Sequence, residues 1–269
     1  MRLPHSNSGC RNHFSSWALF AVLVTVGLAS DLPITFGDEP AAKKNATKPE
    51  ERYSFRKDHD PNGIGKFYMD REIAHVMGFA GMPWLERDER EEEEATSKLI
   101  EALQLKPGMV IADIGAGSGV ISVLMAEKVA PNGEVLAVDV QQKMLDALKA
   151  KCNRLGIKNI KPVLGKTKSP QLPAGKVDLA IMVDVYHEFD FPYEMVQGIS
   201  AAMKPGGRVV FVEYRKEDTS VPIKRVHKMS EAQVKREIGL PEHQLKWTKT
   251  IDVLPWQHII VFEKQKPKP

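Results

Sequence analysis

Cysteine is scarce in this chain, which has two among 269 residues, Cys10 and Cys152. Cys10 lies in an N-terminal stretch expected to be removed, so the mature chain would keep Cys152 alone and form no internal disulfide.

A strong excess of charge is also missing. The formal net charge is +3, and it falls to +1 without residues 1–29, which hold Arg2, Arg11 and no acidic residue. This near balance argues against a nucleic-acid partner, because nucleic-acid-binding surfaces usually carry a clear basic excess.

Apolar runs are short, and the one that stands out lies near the N-terminus. Residues 17–29, WALFAVLVTVGLA, follow a positively charged flank and end in small residues, which is the pattern of a signal peptide. We therefore expect an exported protein, periplasmic or extracellular, from which residues 1–29 are removed. This apolar core is short for a membrane span, but the uncharged stretch 12–30 leaves an uncleaved membrane anchor as the alternative. Residues 30–52 are charged and lack periodicity, which predicts a disordered linker.

From about residue 95 onward, short apolar strands alternate with helix-like segments. Strands are predicted at GMVIADI, GEVLAVDV, NIKPVLG, KVDLAIMVDV and GGRVVFVEY, and helices at GVISVLMAEKVA, QQKMLDALKAKCNRLG and PYEMVQGISAAMK. Such alternation predicts a parallel sheet covered by helices on both faces, with right-handed connections. QLKWTKTIDVL and WQHIIVFEK then predict a closing hairpin. The predicted fold is an α/β, Rossmann-like, doubly wound, seven-stranded, mostly parallel sheet with a C-terminal antiparallel hairpin, in a domain from 95 to 265.

The most informative stretch is VIADIGAGSGVIS at residues 110–122, where an apolar strand runs into three alternating glycines and then a helix. Glycine tolerates positive φ and leaves the backbone open to a ligand. Ligands of such sheets bind at the carboxyl ends of the strands, where the strand order reverses. Val120 stands where a dinucleotide-binding fingerprint needs its third glycine, and no Gly-Lys-Ser/Thr follows. Neither the dinucleotide motif nor the P-loop motif is therefore present.

The same stretch resembles the first motif of class I S-adenosylmethionine-dependent methyltransferases, an acidic residue followed by three alternating glycines after the first strand. The order and spacing of the later segments are similar to that family as well, over roughly residues 95–263. The resemblance implies S-adenosylmethionine as the cofactor. Its candidate contacts in the loop are Asp113, Gly115, Ala116, Gly117 and Gly119.

Three further cofactor contacts follow from the resemblance. Asp139 ends the second strand, where the family has an acid on the ribose hydroxyls, and a carboxylate can accept from two adjacent hydroxyls. After the third strand the family often has an acid near the adenine amino group. This chain has Lys166 and Thr167 there, so adenine would be held by backbone groups, or by Thr167 with apolar packing. Asp184, at the end of the fourth strand, completes the predicted set.

The end of the fourth strand, DVYHEF at 184–189, is where we expect groups that face the substrate. It resembles the Leu-His-His stretch of small-molecule methyltransferases, with Tyr186 for the leucine and Glu188 for the second histidine. The resemblance implies His187 as a base or substrate-orienting group, with Tyr186 beside it. The alternatives are a structural histidine at a strand end and a tyrosine packed against the cofactor. No metal site is expected, because adjacent side chains diverge and no third ligand has a suitable spacing.

Residues 53–94 are expected to form a lid, because in this family the N-terminal segment folds over the donor and shapes the pocket. Candidates for an apolar pocket wall, or for simple packing of the lid on the core, are Phe67, Tyr68, Met77 and Trp84. The run from Glu91 to Glu94 is predicted to be a solvated helix face that favours the helix N-terminus.

The reaction that the resemblance implies is a direct displacement, in which the enzyme holds a nucleophile in line with the donor's methyl carbon. We expect a methyltransferase that acts on a small-molecule substrate. A methyltransferase acting on protein and a catalytically inactive S-adenosylmethionine-binding module remain as alternatives. The near-neutral charge and the lack of an added binding domain count against the protein substrate.

Overall fold

A computed structural model of the chain describes residues 52–266. The predicted signal peptide, and the predicted linker apart from Arg52, lie outside these residues. Within residues 52–266, no helix combines the length and the apolar character needed to cross a bilayer.

A small antiparallel sheet opens the described part of the chain. Its strands are β1 (Tyr53–Phe55), β2 (Gly63–Tyr68) and β3 (Arg71–Ala74), in that spatial order. Met69 and Asp70 join β2 to β3, and both have positive φ, as a two-residue hairpin turn requires. The sequence analysis did not predict these strands, because a Met-Asp pair lacks the glycine or asparagine that usually marks such a turn.

Three short helices connect this sheet to the larger one. They are α1 (Met82–Leu85), α2 (Arg90–Glu94) and α3 (Thr96–Ala102). Ala95 separates α2 from α3 and has positive φ, so the two helices are distinct although they are adjacent in sequence. The lid predicted over residues 53–94 is thus a small sheet followed by two short helices.

The larger sheet has seven strands. They are β4 (Val110–Ile114), β5 (Glu134–Asp139), β6 (Ile160–Leu164), β7 (Val177–Val183), β8 (Met203–Tyr214), β9 (Leu245–Ile251) and β10 (Gln257–Lys264). Their spatial order is β6-β5-β4-β7-β8-β10-β9. The pairs from β6 to β8 are parallel, whereas β10 is antiparallel to both β8 and β9. The predicted fold, including the antiparallel C-terminal hairpin, is confirmed.

Helices cover both faces of this sheet. The remaining ones are α4 (Val120–Val129), α5 (Gln142–Leu155), α6 (Pro192–Ala202) and α7 (Glu231–Ile238). One core contains apolar side chains of α3, α4 and α5, and the other contains those of α6 and α7. Neighbouring strand residues alternate between them: Ile111 belongs to the first core and Ala112 to the second. This alternation is what a two-sided sheet requires, because successive side chains of a strand point to opposite faces.

The strand order reverses beside β4. The chain builds β5 and then β6 on one side of β4, and it returns to add β7 and then β8 on the other. The carboxyl ends of β4 and β7, at Ile114 and Val183, lie at this switch point. A ligand site is therefore expected there, because the two connections leave in opposite directions and open a crevice between them.

Candidate functional site

The glycine loop between β4 and α4 lies at the switch point. The amides of Gly115 and Ala116 donate to the carbonyl of Val138 in β5, over 2.8 and 2.9 Å. Gly115, Gly117 and Gly119 have φ values of +74°, +54° and +80°. All three are in the left-handed region, which other residues enter only at a cost. The loop is thus tied to the neighbouring strand in a conformation that favours glycine.

Packing adds a second requirement at Gly115 and Gly119. A Cβ at Gly119 would lie 2.0 Å from Leu148 Cδ1 of α5, and one at Gly115 would lie 2.4 Å from a Val185 methyl. The sequence analysis explained the glycines by the space that a ligand needs. For Gly119 the reason is different, because the core side chain of Leu148 already occupies that space.

The loop borders a cavity of about 570 Å³. Five of the predicted cofactor contacts line it, namely Gly115, Gly117, Asp139, Thr167 and Asp184, and so does His187. Asp113 and Ala116 line a separate small cavity instead, and Gly119 lines neither of the two. The fold thus brings residues from the ends of four parallel strands to one cavity.

Asp139 is the last residue of β5, and its side chain both holds the glycine loop and lines the cavity. Its Oδ2 accepts from the amide of Gly117 at 2.9 Å, and its Oδ1 accepts from the amide of Gln141 at 2.8 Å. Burial raises the pKa of Asp139, although these backbone amides act in the opposite direction. Each carboxylate oxygen keeps a second lone pair, so the side chain can still accept from a ligand.

Asp184 follows β7 with a φ of +54°. Its Oδ2 accepts from Gln257 at 2.7 Å, and its Oδ1 is buried without a hydrogen-bond partner among the described residues. Burial, and next the negative charges of Glu94 and Glu213, raise the pKa of Asp184 well above its ordinary value. A cationic ligand group beside Oδ1 would relieve this repulsion, and the ammonium of S-adenosylmethionine is such a group. The open glycine loop and this unpartnered oxygen therefore fit the cofactor.

Asp113, in β4, lies beneath the glycine loop. It is buried, and its Oδ2 accepts from the hydroxyl of Ser122 in α4 at 2.5 Å. Burial raises the pKa of Asp113 to about 6, while the bond from Ser122 lowers it. The acid of the first motif thus connects β4 to α4, and its contact with the cofactor stays a prediction.

His187 is buried in a one-turn 3-10 helix (Tyr186–Glu188) that follows β7. Its Nδ1 lies 2.6 Å from Oε2 of Glu213, a fully buried residue of β8. A carboxylate only accepts, so Nδ1 carries the proton and Nε2 keeps its lone pair in the neutral ring. Burial alone would lower the pKa of His187, but the charge and hydrogen bond of Glu213 raise it.

Two further polar side chains meet His187 in the cavity wall. His227, after β8, has its Nδ1 3.2 Å from Nε2 of His187. Oε1 of Glu188 lies 4.0 Å from Nε2 of His187 and 3.8 Å from Nδ1 of His227. Burial, and next the charge of His187, lower the pKa of His227 to about 4, while burial raises that of Glu188 to about 7. The sequence analysis found no third metal-ligating side chain with a spacing suited to His187 and Glu188. The structure places one beside them, His227, from a distant segment.

Tyr186 does not line the cavity. Its side chain is fully buried, and its hydroxyl donates to Oε2 of Glu237 in α7 at 2.7 Å. Its ring packs edge-on against Phe189 and Phe211. Arg71 of β3 binds both oxygens of the same Glu237, at 2.7 and 2.9 Å. These contacts give Tyr186 a structural position that joins the small sheet, through Arg71, to the core, and its role in the active site stays a prediction.

Parts of the predicted lid do reach the cavity. Met77 and Trp84 line it, whereas Phe67 and Tyr68 are buried in packing.

Glu94 differs from the prediction of a solvated face. It is buried, forms salt bridges with Arg87 and Arg90, and accepts from the hydroxyl of Tyr214 at 2.9 Å.

Sequence reasoning missed Glu213, Arg90 and Glu94 as parts of the site. Glu213 lies among apolar residues at the end of β8, and the other two belong to a charged run. The charged run gives no signal of a buried role for Arg90 and Glu94. The local clue for Glu213 is a lone carboxylate in the apolar strand RVVFVEY, since a buried charge usually needs a partner.

The comparisons with known proteins agree with this geometry. The model of the family described as "Methyltransferase domain" matches residues 105–263. Nocamycin O-methyltransferase of Saccharothrix syringae is 30% identical over 82 residues, 30% of this chain and 29% of that protein. Demethylmenaquinone methyltransferase of Lactococcus lactis subsp. lactis (strain IL1403) is 28% identical over 123 residues, 46% and 47% of the two chains. The chain thus spans about half, or less, of the length of these relatives.

A solved structure supports the fold along its whole length. The S-adenosylmethionine-dependent methyltransferase from Aquifex aeolicus has a TM-score of 0.65 and 22% identity, and the match covers 70% of this chain and 100% of that one. At this identity the similarity concerns the fold alone, while the family model covers more than half of the chain. The chain therefore belongs to the methyltransferase-domain family, and its fold is that of the class I S-adenosylmethionine-dependent methyltransferases.

Proposed function

We propose that this methyltransferase acts on a small molecule, which binds in the same cavity as the cofactor. One observation carries the proposal. The cavity of about 570 Å³ is lined both by the glycine loop with Asp139 and by the cluster of His187, Glu188 and His227. Its volume is in the range of sites for small ligands, roughly 300–1,000 Å³. The proposed cofactor contacts and a group of polar side chains suited to contact an acceptor thus line one cavity.

The proposed cofactor half of the cavity uses the residues that follow β4, β5, β6 and β7. Asp139 would accept from the ribose hydroxyls, Thr167 and its neighbours would border adenine, and Asp184 would bind the ammonium. When bound, S-adenosylmethionine supplies a methyl carbon that its sulfonium makes electrophilic. Asp113 would act from beneath the loop, and Ala116 and Gly119 through the loop's conformation.

The proposed acceptor half contains His187. Glu213 holds Nδ1 of His187, so the ring is fixed in orientation, and its Nε2 lies 3.2 Å from Nδ1 of His227, which also lines the cavity. In that tautomer Nε2 can accept a hydrogen bond from an acceptor hydroxyl and take its proton. Glu213 stabilises the imidazolium that results, as a buried carboxylate does for a catalytic histidine. Glu213 is thus proposed as a positioning residue and His187 as the catalytic one.

The walls of the cavity favour a small acceptor over a protein. One part of the wall consists of Met77 and Trp84 from the predicted lid. Another part consists of Ile223 and Lys224 from the segment after β8. Among the relatives, two are named for nocamycin and demethylmenaquinone, and one from Pyrococcus horikoshii for protein L-isoaspartate. These names leave methyl transfer to protein as the second candidate and an inactive binding module as the third.

A methyl-transfer screen tests the proposal. The full chain is incubated with S-adenosylmethionine labelled in its methyl group, together with separate pools of small molecules and of proteins. We expect label in a small-molecule fraction, and loss of that label in His187→Ala. His75→Ala is the matched control, because His75 also lines the cavity but does not contact His187 in the cluster. Label in the protein pool alone, or cofactor binding without any transfer, would contradict the proposal.

A further inference from the structure

Three nitrogen and oxygen donors converge on the cavity wall from two separate segments. They are Nε2 of His187 and Oε1 of Glu188, after β7, and Nδ1 of His227, after β8. Their mutual distances are 3.2, 3.8 and 4.0 Å. In a tetrahedral site with bonds of about 2.1 Å, donor atoms lie about 3.4 Å apart. The two nitrogens are thus already at a suitable spacing, and a small inward shift of the Glu188 carboxylate completes the set.

The groups behind these donors are those that orient metal ligands. Glu213 accepts from Nδ1 of His187 at 2.6 Å and is itself held by the amide of Tyr186 at 3.0 Å. This carboxylate–histidine contact fixes the tautomer that directs Nε2 to a cation. Oε1 of Glu188 accepts from the amide of Met77 at 3.1 Å, and the carbonyl of His187 accepts from buried Arg71 at 3.1 Å. The donor cluster therefore rests on contacts with β8, β3 and the lid.

We propose that His187, Glu188 and His227 bind a divalent transition metal ion, and that its open coordination positions face the methyl acceptor. Two imidazoles and one carboxylate suit Zn²⁺, Fe²⁺, Mn²⁺ or Co²⁺ rather than Ca²⁺ or Mg²⁺, which prefer oxygen ligands. Three protein ligands leave at least one position open, as catalytic metal sites do. All three residues line the cavity, so water or an acceptor atom would occupy that position.

The inference rests on the proposed function and narrows the class of acceptor. An acceptor that reaches the cation must carry an oxygen or nitrogen donor beside the atom that is methylated, or use that atom itself as the ligand. A bound cation lowers the pKa of a hydroxyl that it contacts, and the released proton then goes to water. With the cation in place, Nε2 of His187 is a metal ligand and cannot take a proton from the acceptor. The cation then activates the acceptor hydroxyl in place of His187.

Metal binding to the full, tag-free chain tests the site directly. After treatment with a chelator, the protein is titrated with Zn²⁺ in a calorimeter and with Co²⁺ in a spectrophotometer, without cofactor or acceptor. We expect one equivalent of each metal to bind, with a visible Co²⁺ band typical of a site with fewer than six ligands. His227→Ala and Glu188→Gln should weaken Zn²⁺ binding at least tenfold and remove the Co²⁺ band.

His59→Ala is the control for metal binding, because His59 is an exposed histidine that does not line the cavity, and its metal affinity should equal that of the unaltered chain. Circular dichroism and thermal melting check that Glu188→Gln, which retains the side-chain shape, is folded. Equal affinity in all variants, no stoichiometric binding, or binding of Mg²⁺ in preference to Zn²⁺ would overturn the inference. Metal binding without methyl transfer would overturn the proposed function alone, because the titration needs neither cofactor nor acceptor. Small-molecule methylation by a chain that binds no metal would overturn the metal site alone.

Discussion

The backbone amide of Gly117 donates to Oδ2 of Asp139 over 2.9 Å, across 22 positions of the sequence. This bond ties the glycine loop after β4 to the end of β5. The Asp139 carboxylate also lines the cavity, so the side chain that holds the loop borders the proposed cofactor site. Loop conformation and the proposed ligand contact therefore depend on the same side chain.

Replacing Asp139 by Ala should weaken binding of the cofactor and of its demethylated product by on the order of 1–3 kcal/mol, the range for lost charged hydrogen bonds. Calorimetry measures the change. Asp146→Ala is the control, because Asp146 is an exposed acid of the neighbouring helix α5. Equal losses in the two variants would mean that Asp139 acts only through overall charge, and an unchanged affinity would put the ribose elsewhere.

The glycines of the loop should differ in what their replacement changes. A Cβ at Gly119 meets the buried side chain of Leu148, so Gly119→Ala should lower the free energy of unfolding by ~2–4 kcal/mol through overpacking and backbone strain. At Gly117 the Cβ meets only the end of the partly exposed Leu85 side chain at 2.6 Å. Gly117→Ala should therefore reduce cofactor affinity more than stability. Urea unfolding and calorimetry on both variants separate the two effects, and the reverse pattern would refute the assignment.

The buried ion pair between Arg71 and Glu237 should be important for stability. Arg71→Met removes the partner of a fully buried carboxylate, which typically costs about 3–5 kcal/mol. The double variant Arg71→Met, Glu237→Gln leaves no unpaired charge and should regain a large part of this loss. Urea unfolding of the unaltered chain, of the single variants Arg71→Met and Glu237→Gln and of the double variant gives the coupling free energy between the two side chains. If the losses of the two single variants simply add in the double variant, the pair is not coupled as we describe.

Asp113 should make stability depend on pH in a defined window. Burial raises its pKa from 3.8 to about 6 in the folded chain, so the folded state favours the protonated form. The stabilising contribution is complete below about pH 4 and is lost as the pH rises through 6. Asp113→Asn lacks this titration. The stability of the unaltered chain relative to Asp113→Asn should therefore fall between pH 4 and 6, by up to the order of 3 kcal/mol, and be constant above. A difference that is flat across the whole range would contradict the prediction.

We also propose that the chain is exported and that residues 1–29 are removed. Arg2 and Arg11 precede the apolar run, which keeps that end inside and sends the following chain across the membrane. N-terminal sequencing of protein from fractionated native cells should give a mature end near Ser30 or Asp31. An intact Met1 in the soluble cytoplasmic fraction would argue against export. The same intact end in the membrane fraction would favour the uncleaved anchor.

Local patterns in the sequence determined the fold and which strand ends meet at the proposed cofactor half of the site. Strand and helix periodicities recur along the chain, and the ends of parallel strands necessarily meet at one edge of the sheet. The glycine loop, Asp139 and Asp184 therefore line one cavity, and their proposed role as cofactor contacts comes from the resemblance to the methyltransferase family. The small sheet of residues 53–74 escaped prediction, because its turn at Met69 and Asp70 has no local signature.

Only the tertiary structure decided the acceptor half. His187 and His227 are 40 residues apart, and they meet because the segments after β7 and β8 leave adjacent parallel strands and turn toward the same cavity. The same applies to Glu213, which is buried against His187, and to Glu94 at the end of the predicted lid, which contacts Tyr214 of β8 as well as the nearby Arg87 and Arg90. Tyr186 turned into the core although it is adjacent to His187 in sequence, because neighbouring side chains of a tight turn point in different directions. Periodicity describes which side of an element a residue occupies, but it contains no information about which distant side chain will face it.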